Sequence, residues 1–176
     1  MLKLLFRLVF VALTFFSFAS FVHSANSEGC KTYKGAWFQI EYPEDFTAKP
    51  SLRSSSAKGY DSAFFVSPDK SVEFYVFSPQ WNGQPSDVQL NTKTEEIVSD
   101  KTDNVPDTSQ KIGTKSVRRY TIAAKDMSYL RSYVDTENKQ LNYRFVIGLK
   151  YPDMDVCRDF QDKYQNFVKS LKQFAD

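Results

Sequence analysis

The sequence predicts an α+β domain in which an antiparallel sheet of six to seven strands packs against one long C-terminal helix. Two observations support this fold class. Short runs in which apolar and polar residues alternate are typical of half-buried strands, and turn-forming residues separate these runs. After Pro152 the spacing of the apolar residues changes to that of an amphipathic helix.

The first 24 residues predict a secretory signal peptide. Two basic residues precede an apolar run over residues 8–22, and small residues follow at positions 24 and 25. We expect cleavage after Ser24, which leaves residues 25–176 as a single exported domain, periplasmic or secreted, with no membrane span. Two alternatives stay open, an uncleaved signal and a lipidated chain.

The predicted mature domain has no net charge and no histidine. Two of the 23 basic residues, Lys3 and Arg7, belong to the signal, so the others balance the 21 acidic residues. This balance does not favour nucleic acid as a partner. The single histidine, His23, also lies in the signal, and most hydrolase and transition-metal chemistry depends on histidine. We therefore expect a protein that is not an enzyme and has no cofactor or metal.

Three strands are predicted in the first half of the domain. Residues 34–42 alternate between apolar and polar side chains, and Pro43 ends the run. After a polar loop over residues 47–59, two runs at residues 60–67 and 71–78 form a hairpin around Pro68-Asp69-Lys70. The second of these runs is apolar on both faces, which predicts a central strand.

A three-stranded meander is predicted in the second half. Its strands cover residues 116–124, 128–136 and 140–151, with short polar turns between them. The sequence before the meander is less regular. We expect loops over residues 79–91 and 104–111, and between them a strand over residues 92–102, for which a helix start is the alternative.

The last element is predicted to be a helix of about five turns that lies on the sheet. The acidic residues from Asp153 to Asp155 precede it and suit the positive end of a helix. Its apolar face contains seven residues at helical spacing: Val156, Phe160, Tyr164, Phe167, Val168, Leu171 and Phe174.

The two cysteines predict one disulfide bond. An exported chain reaches an oxidising compartment, and Cys30 and Cys157 allow a single pairing. Such a bridge would attach the start of the mature domain to the C-terminal helix. A reactive thiol is the alternative, but the predicted mature domain contains no Cys-x-x-Cys motif and no histidine that would lower a thiol pKa.

The two ends of the domain resemble the PsbP-like superfamily. The opening segment from Phe38 to Phe46, which includes Tyr42-Pro43, looks like the entry to that fold, and the meander followed by an amphipathic helix is similar to its end. The superfamily includes thylakoid-lumen photosystem proteins, a nuclear-transport cofactor and small bacterial envelope proteins. The resemblance implies a fold and no functional residue, and it leaves residues 47–114 unmatched.

Aromatic residues supply the first candidate binding site. All ten tyrosines and both tryptophans follow the signal. Most of them suit the core and rim of a sheet. Tyr75, Phe77 and Trp81 lie on one side of a strand and its outgoing loop, and we expect them to line a groove for a partner or a small ligand. A second candidate is a basic stripe for an anionic group, formed by Arg118, Arg119, Arg131 and Arg144, although cross-strand ion pairs explain these arginines equally well.

The sequence favours binding over catalysis. Two Ser-x-x-Lys motifs, Ser55 to Lys58 and Ser67 to Lys70, lack the companion motifs of serine enzymes that use this spacing. We expect a monomeric, non-enzymatic domain that binds a protein or another envelope component. The alternatives are a carrier of a small hydrophobic ligand that uses the aromatic sheet face, and a weak hydrolase that uses Ser55 and Lys58.

Overall fold

The structure, a computed structural model, describes residues 29–108 and 113–174, so the predicted signal peptide lies outside the described part. Ten strands and two helices follow one another in this part of the chain. They are β1 (Cys30–Lys34), β2 (Phe38–Pro43), β3 (Thr47–Pro50), β4 (Ser62–Val66), β5 (Glu73–Phe77), β6 (Glu95–Pro106), β7 (Thr114–Ala124), β8 (Leu130–Asn138), β9 (Tyr143–Tyr151), α1 (Met154–Asp159), α2 (Gln161–Lys169) and β10 (Lys172–Gln173).

The strands form two antiparallel sheets. The larger sheet has seven strands in the order β3-β4-β5-β9-β8-β7-β6. The smaller sheet has the order β1-β2-β10, and α2 packs against β2. Strand residues (49%) far outnumber helical ones (11%). The predicted α+β class is therefore wrong, because the fold is mostly antiparallel β-sheet.

The prediction of one long C-terminal helix is also wrong, because the structure has two short helices in this region. Asp153 caps α1 as expected, since its side chain accepts hydrogen bonds from two backbone N–H groups of the first turn. Phe160 ends α1 and precedes α2 with φ −96° and ψ 0°. Its ring contacts Phe46 with centroids 5.9 Å apart, which favours a turn toward the core at this residue. No helix among the described residues has the length and apolarity needed to cross a bilayer.

The chain leaves α2 to complete the smaller sheet. The Ser170 hydroxyl accepts a hydrogen bond from the Glu41 backbone N–H at 2.9 Å. Lys172 and Gln173 then pair with Gln39 and Phe38 of β2. The helical spacing of the apolar residues therefore continues past the end of the helix, and pairing with β2 determines the structure of the last residues.

The hairpin and meander predictions for the larger sheet are confirmed, but the loop predicted over residues 47–59 is wrong at its start, because Thr47–Pro50 pairs with β4 as strand β3. The predicted hairpin is the β4–β5 pair, and Asp69 accepts hydrogen bonds from the Ser67 and Ser71 hydroxyls within its turn. The meander is the β7–β8–β9 unit. The ambiguous residues 92–102 belong mainly to a strand, β6, which extends into the predicted loop as far as Pro106.

The central strands bury both of their faces, as predicted for the second strand of the hairpin. Phe74 and Val76 of β5 belong to one apolar cluster, and Tyr75 and Phe77 belong to another on the opposite face. We call the first the helix-side core, because α2 and the smaller sheet cover it; it includes Phe38, Ile40, Phe46, Phe65, Phe74, Val76, Ile147, Leu149 and Phe167. The second cluster consists of Tyr75, Phe77, Ile122, Tyr133 and Val146.

An irregular segment, residues 79–94, covers the second cluster, and we call this segment the strap. The strap contains turns and bends but no helix or strand. Its Val88 packs against the cluster, and its Asp87 accepts a hydrogen bond from the Tyr75 hydroxyl. We therefore call this cluster the strap-side core. The sequence predicted a loop here but did not predict that the loop lies on the sheet.

We predict that Gly148→Ala destabilises the protein by about 1–3 kcal/mol, because overpacking forces buried groups apart. A Cβ at Gly148 would lie 2.4 Å from the Tyr133 ring and 3.3 Å from the Tyr75 Cβ. Gly83→Ala is the matched control, since nothing lies within 4 Å of its Cβ position. Urea unfolding measures both variants. Equal stability of the two would contradict the close packing of Tyr133 over β9.

Candidate functional site

The helix side of the larger sheet is covered over only part of its width. Of the twelve residues of β6, only Glu95 is buried, so this strand projects beyond the cover. We call β6 and β7 the wing. At the step between the wing and the helices lies a hollow of about 290 Å³, which we call the helix–wing groove. Its lining includes Ser99, Arg119, Thr121, Ser132, Val134, Leu149, Tyr151, Cys157, Gln161 and Tyr164.

The floor of the groove combines hydroxyl groups with apolar side chains. The Ser132 hydroxyl lies 2.9 Å from the Thr121 hydroxyl and 3.2 Å from the Tyr151 hydroxyl, so three hydroxyls form a row across three neighbouring strands. Val134 and Leu149 supply apolar surface beside the row. Burial raises the pKa of Tyr164, whose phenol therefore stays neutral at physiological pH. This arrangement suits a ligand or chain segment with both polar and apolar groups.

One feature of the sequence was consistent with this groove, although it was not enough to predict the groove. Alternation in the meander places Thr121, Ser132 and Val134 on the helix-side face of the sheet, where apolar residues are expected. Two hydroxyl residues on a core face suggest that the face is open there. The position of the helices, which the sequence did not give, decides which part of the face stays uncovered.

The structure places Cys30 and Cys157 apart as free thiols, and the Cys30–Cys157 bridge stays a prediction. Cys30 begins β1 at the edge of the smaller sheet, opposite Pro43. Cys157 lies on α1, on the wall of the helix–wing groove. The break between the two helices holds α1 over β9, away from β1. Burial raises the pKa of the Cys157 thiol.

The predicted aromatic groove is not present as an open surface. Tyr75 and Phe77 are only 2% and 0% exposed and belong to the strap-side core, whereas Trp81 is 40% exposed on the strap. Burial and the neighbouring Asp87 carboxylate raise the pKa of Tyr75. The structure thus separates Trp81 from the other two, because the strap covers the sheet face from which Tyr75 and Phe77 project.

The four arginines of the predicted basic stripe form ion pairs within the sheet. Arg118 contacts Asp100 at 2.6 Å, and Arg119 contacts Asp103 at 3.2 Å. The more buried pairs are Arg131 with Glu95 at 2.6 Å and Arg144 with Asp135 at 2.7 Å. The ion-pair alternative to the basic stripe therefore explains all four arginines.

Among the described residues, the hydrogen bonds of the Ser55 and Ser67 hydroxyls do not involve the lysines of their Ser-x-x-Lys motifs. The Ser67 hydroxyl donates to Asp69 at 2.6 Å and accepts from the Val72 N–H at 3.0 Å, so it stabilises the hairpin turn. The Ser55 hydroxyl accepts a hydrogen bond from the Gln84 side chain on the strap. Among residues 29–108 and 113–174, no three His, Cys, Asp or Glu side chains lie close enough together to hold a metal ion.

A larger hollow of about 410 Å³ lies beside β2 and α2. Its lining includes acidic residues at Glu41, Glu44 and Asp45, together with Lys163, whose amine is 3.5 Å from Asp45. Gly29 and Cys30, the first described residues, form part of its rim. We take the helix–wing groove as the candidate site, because its lining combines a row of hydroxyls with apolar side chains.

One buried carboxyl lies where the strap begins. Asp61 is 1% exposed, and its backbone carbonyl accepts a hydrogen bond from the Ser78 N–H at 2.8 Å. Its side-chain Oδ1 has no hydrogen-bond partner among the described residues. Burial raises the pKa of this carboxyl, and a hydrogen bond from Ser54 lowers it by a smaller amount. An ionised Asp61 therefore destabilises the folded state.

Comparisons with known proteins do not assign the chain to a family. No protein-family model matches it, and a search of curated proteins finds no match either. The PsbP-like resemblance stays a prediction.

We predict that Asp61→Asn stabilises the protein at neutral pH by roughly 1 kcal/mol, because a neutral amide avoids the cost of burying an ionised carboxylate. A raised folded-state pKa means that the native protein binds the Asp61 proton more tightly than the unfolded chain does. The stability from this proton is complete below the unfolded pKa, about 3.9, and is lost as the pH rises through the folded pKa.

The advantage of Asp61→Asn should therefore be largest near neutral pH and should shrink as the pH falls. Urea unfolding of both proteins across this range measures the difference, and pH effects that the two share cancel in the comparison. A variant that is less stable than the parent near neutral pH would contradict the assigned pKa direction.

Proposed function

We propose that this chain is an exported, non-enzymatic binding domain of the cell envelope, and that it holds a segment of a partner protein in the helix–wing groove. The observation that carries this proposal is the open groove itself, in which a row of three hydroxyls lies beside apolar side chains. The predicted signal peptide supports the assignment to the envelope.

The chemistry of the groove favours a polypeptide as its occupant. A peptide segment presents backbone polar groups and apolar side chains at short spacing, and the groove offers partners for both. Thr121 and Ser132 donate or accept hydrogen bonds, so they accommodate either a carbonyl or an N–H group. Val134 and Leu149 offer contact to one apolar side chain. The volume of the groove is close to the lower end of the range for ligand sites, which suits a few residues of a partner.

Photo-crosslinking with a matched pair of variants tests this function. Benzoylphenylalanine in place of Gln161, an exposed residue on the groove wall, should give a discrete adduct in cells that export the protein. Val134→Glu should reduce that adduct about tenfold or more, because it puts a charge next to the apolar floor.

Two controls accompany this experiment. Val105→Glu makes the same substitution at a half-buried wing residue outside the groove lining and should leave the adduct intact. Benzoylphenylalanine in place of Lys139, in the β8–β9 turn, should not give it. An adduct that survives Val134→Glu in a folded variant, or that forms equally from position 139, would overturn the proposal.

A further inference from the structure

We propose that the strap is a displaceable cover over a second binding site, and that this site takes a ligand with a flat apolar body and one anionic group. The site is the strap-side face of the sheet, which is independent of the helix–wing groove. The proposal rests on how the strap is attached, on which side chains lie beneath it, and on which hydrogen-bond donors its departure would release.

The strap is attached to the sheet through side chains rather than through a backbone ladder. Backbone hydrogen bonds stand at its two ends, from the Ser78 N–H to the Asp61 carbonyl at 2.8 Å and from the Lys125 N–H to the Thr94 carbonyl at 2.9 Å. Between them, Asp87 accepts hydrogen bonds from three hydroxyls, those of Ser51 at 2.5 Å, Ser62 at 2.9 Å and Tyr75. One carboxylate thus joins the strap to β4, to β5 and to the residue that follows β3.

Apolar contacts add little to this attachment. Val88 packs against the strap-side core, but the largest apolar residues of the strap face the solvent, with Trp81 40% exposed and Leu90 36% exposed. Segments with few buried apolar contacts and few backbone hydrogen bonds open at a lower free energy than the strands beneath them. The β5–β9 ladder does not use strap residues, so the sheet keeps its backbone pairing when the strap leaves.

Aromatic rings form most of the surface beneath the strap. The rings of Phe64 and Tyr75 have centroids 4.9 Å apart, Tyr75 and Tyr133 lie 5.8 Å apart, and Tyr133 stacks on Tyr120 at 5.2 Å. Because Gly148 has no side chain, the Tyr133 ring lies close against β9. A continuous row of rings favours a flat, apolar ligand that stacks on them.

Two arginines that donate to carbonyls of the strap supply the anion preference. Arg131 donates to the Gln89 carbonyl at 2.5 Å, and Arg144 donates to the Gln84 carbonyl at 2.9 Å. Both also pair with carboxylates of the sheet, Glu95 and Asp135, and keep those pairs when the strap leaves. The N–H groups that lose a strap carbonyl then become donors for an anionic group of the ligand.

Anilinonaphthalene sulfonate, which has flat apolar rings and one sulfonate, is the probe. Asp87→Asn weakens the three-hydroxyl attachment and should tighten dye binding about tenfold, since affinity rises with the population of the open state. Asp69→Asn is the matched control, because Asp69 also accepts from two serine hydroxyls but lies in the β4–β5 turn; it should bind the dye as the parent does.

A reversible lock provides a second variant. The Ser51 and Asp87 side chains are in contact, so Ser51→Cys with Asp87→Cys, in a chain that also has Cys30→Ser and Cys157→Ser, should form a bridge that holds the strap down. The oxidised protein should lose dye binding, and reduction should restore it. Phenylnaphthylamine, an analogue without the sulfonate, should bind the open protein more weakly.

Three results would overturn the proposal. The first is equal dye binding by the oxidised and reduced proteins. The second is a loss of hydrogen-exchange protection in β5 and β9 of the Asp87→Asn protein, which would make the strap part of the cooperative sheet. The third is binding of the uncharged analogue as tight as that of the sulfonate.

Discussion

The two-sided burial of β5 and β9 is the constraint on which the rest of this structure depends. Both strands present apolar side chains to both faces of the sheet, so each face needs a cover. On one side the helices and the smaller sheet form that cover through large aromatic contacts, such as Phe74 with Phe167 at 5.2 Å. On the other side the cover is the strap, which is held near its centre by side-chain hydrogen bonds, three of them to the Asp87 carboxylate and two from arginines to strap carbonyls. The two covers therefore differ in kind and, we infer, in stability.

The wing is the part of the sheet that neither cover reaches. Its outer strand β6 has features that discourage pairing with another edge: a register shift between Ile97 and Ser99, charged side chains, and Pro106 at its end. These features discourage another strand from pairing with the free edge of β6, while the helix-side face of the wing stays open. This is why the helix–wing groove, and not the edge of the sheet, is the more suitable position for a partner.

Local elements of this fold were predictable from the sequence, and its covers were not. Alternation identified the hairpin and the meander, and the two-sided apolar pattern of β5 predicted its central position. The helix prediction failed at Phe160, which has no proline or glycine nearby; its packing against Phe46 is a tertiary contact that no local pattern reveals. The burial of the candidate site residues Tyr75 and Phe77 was unpredictable for a similar reason, because a polar loop such as the strap shows no sequence sign of lying on a sheet.

The most direct test compares two neighbouring residues of β4 that lie on opposite faces. Ser62 lies beneath Asp87 on the strap side and Ala63 belongs to the helix-side core, and both are fully buried. Thiol labelling of Ser62→Cys and Ala63→Cys, each in a chain with Cys30→Ser and Cys157→Ser, reports the opening of each cover. We predict that the Ser62→Cys thiol reacts at least about tenfold faster and that low urea scarcely changes its rate, whereas the Ala63→Cys thiol reacts only through urea-dependent global unfolding. Equal rates with the same urea dependence would contradict the account, because the two covers would then open together.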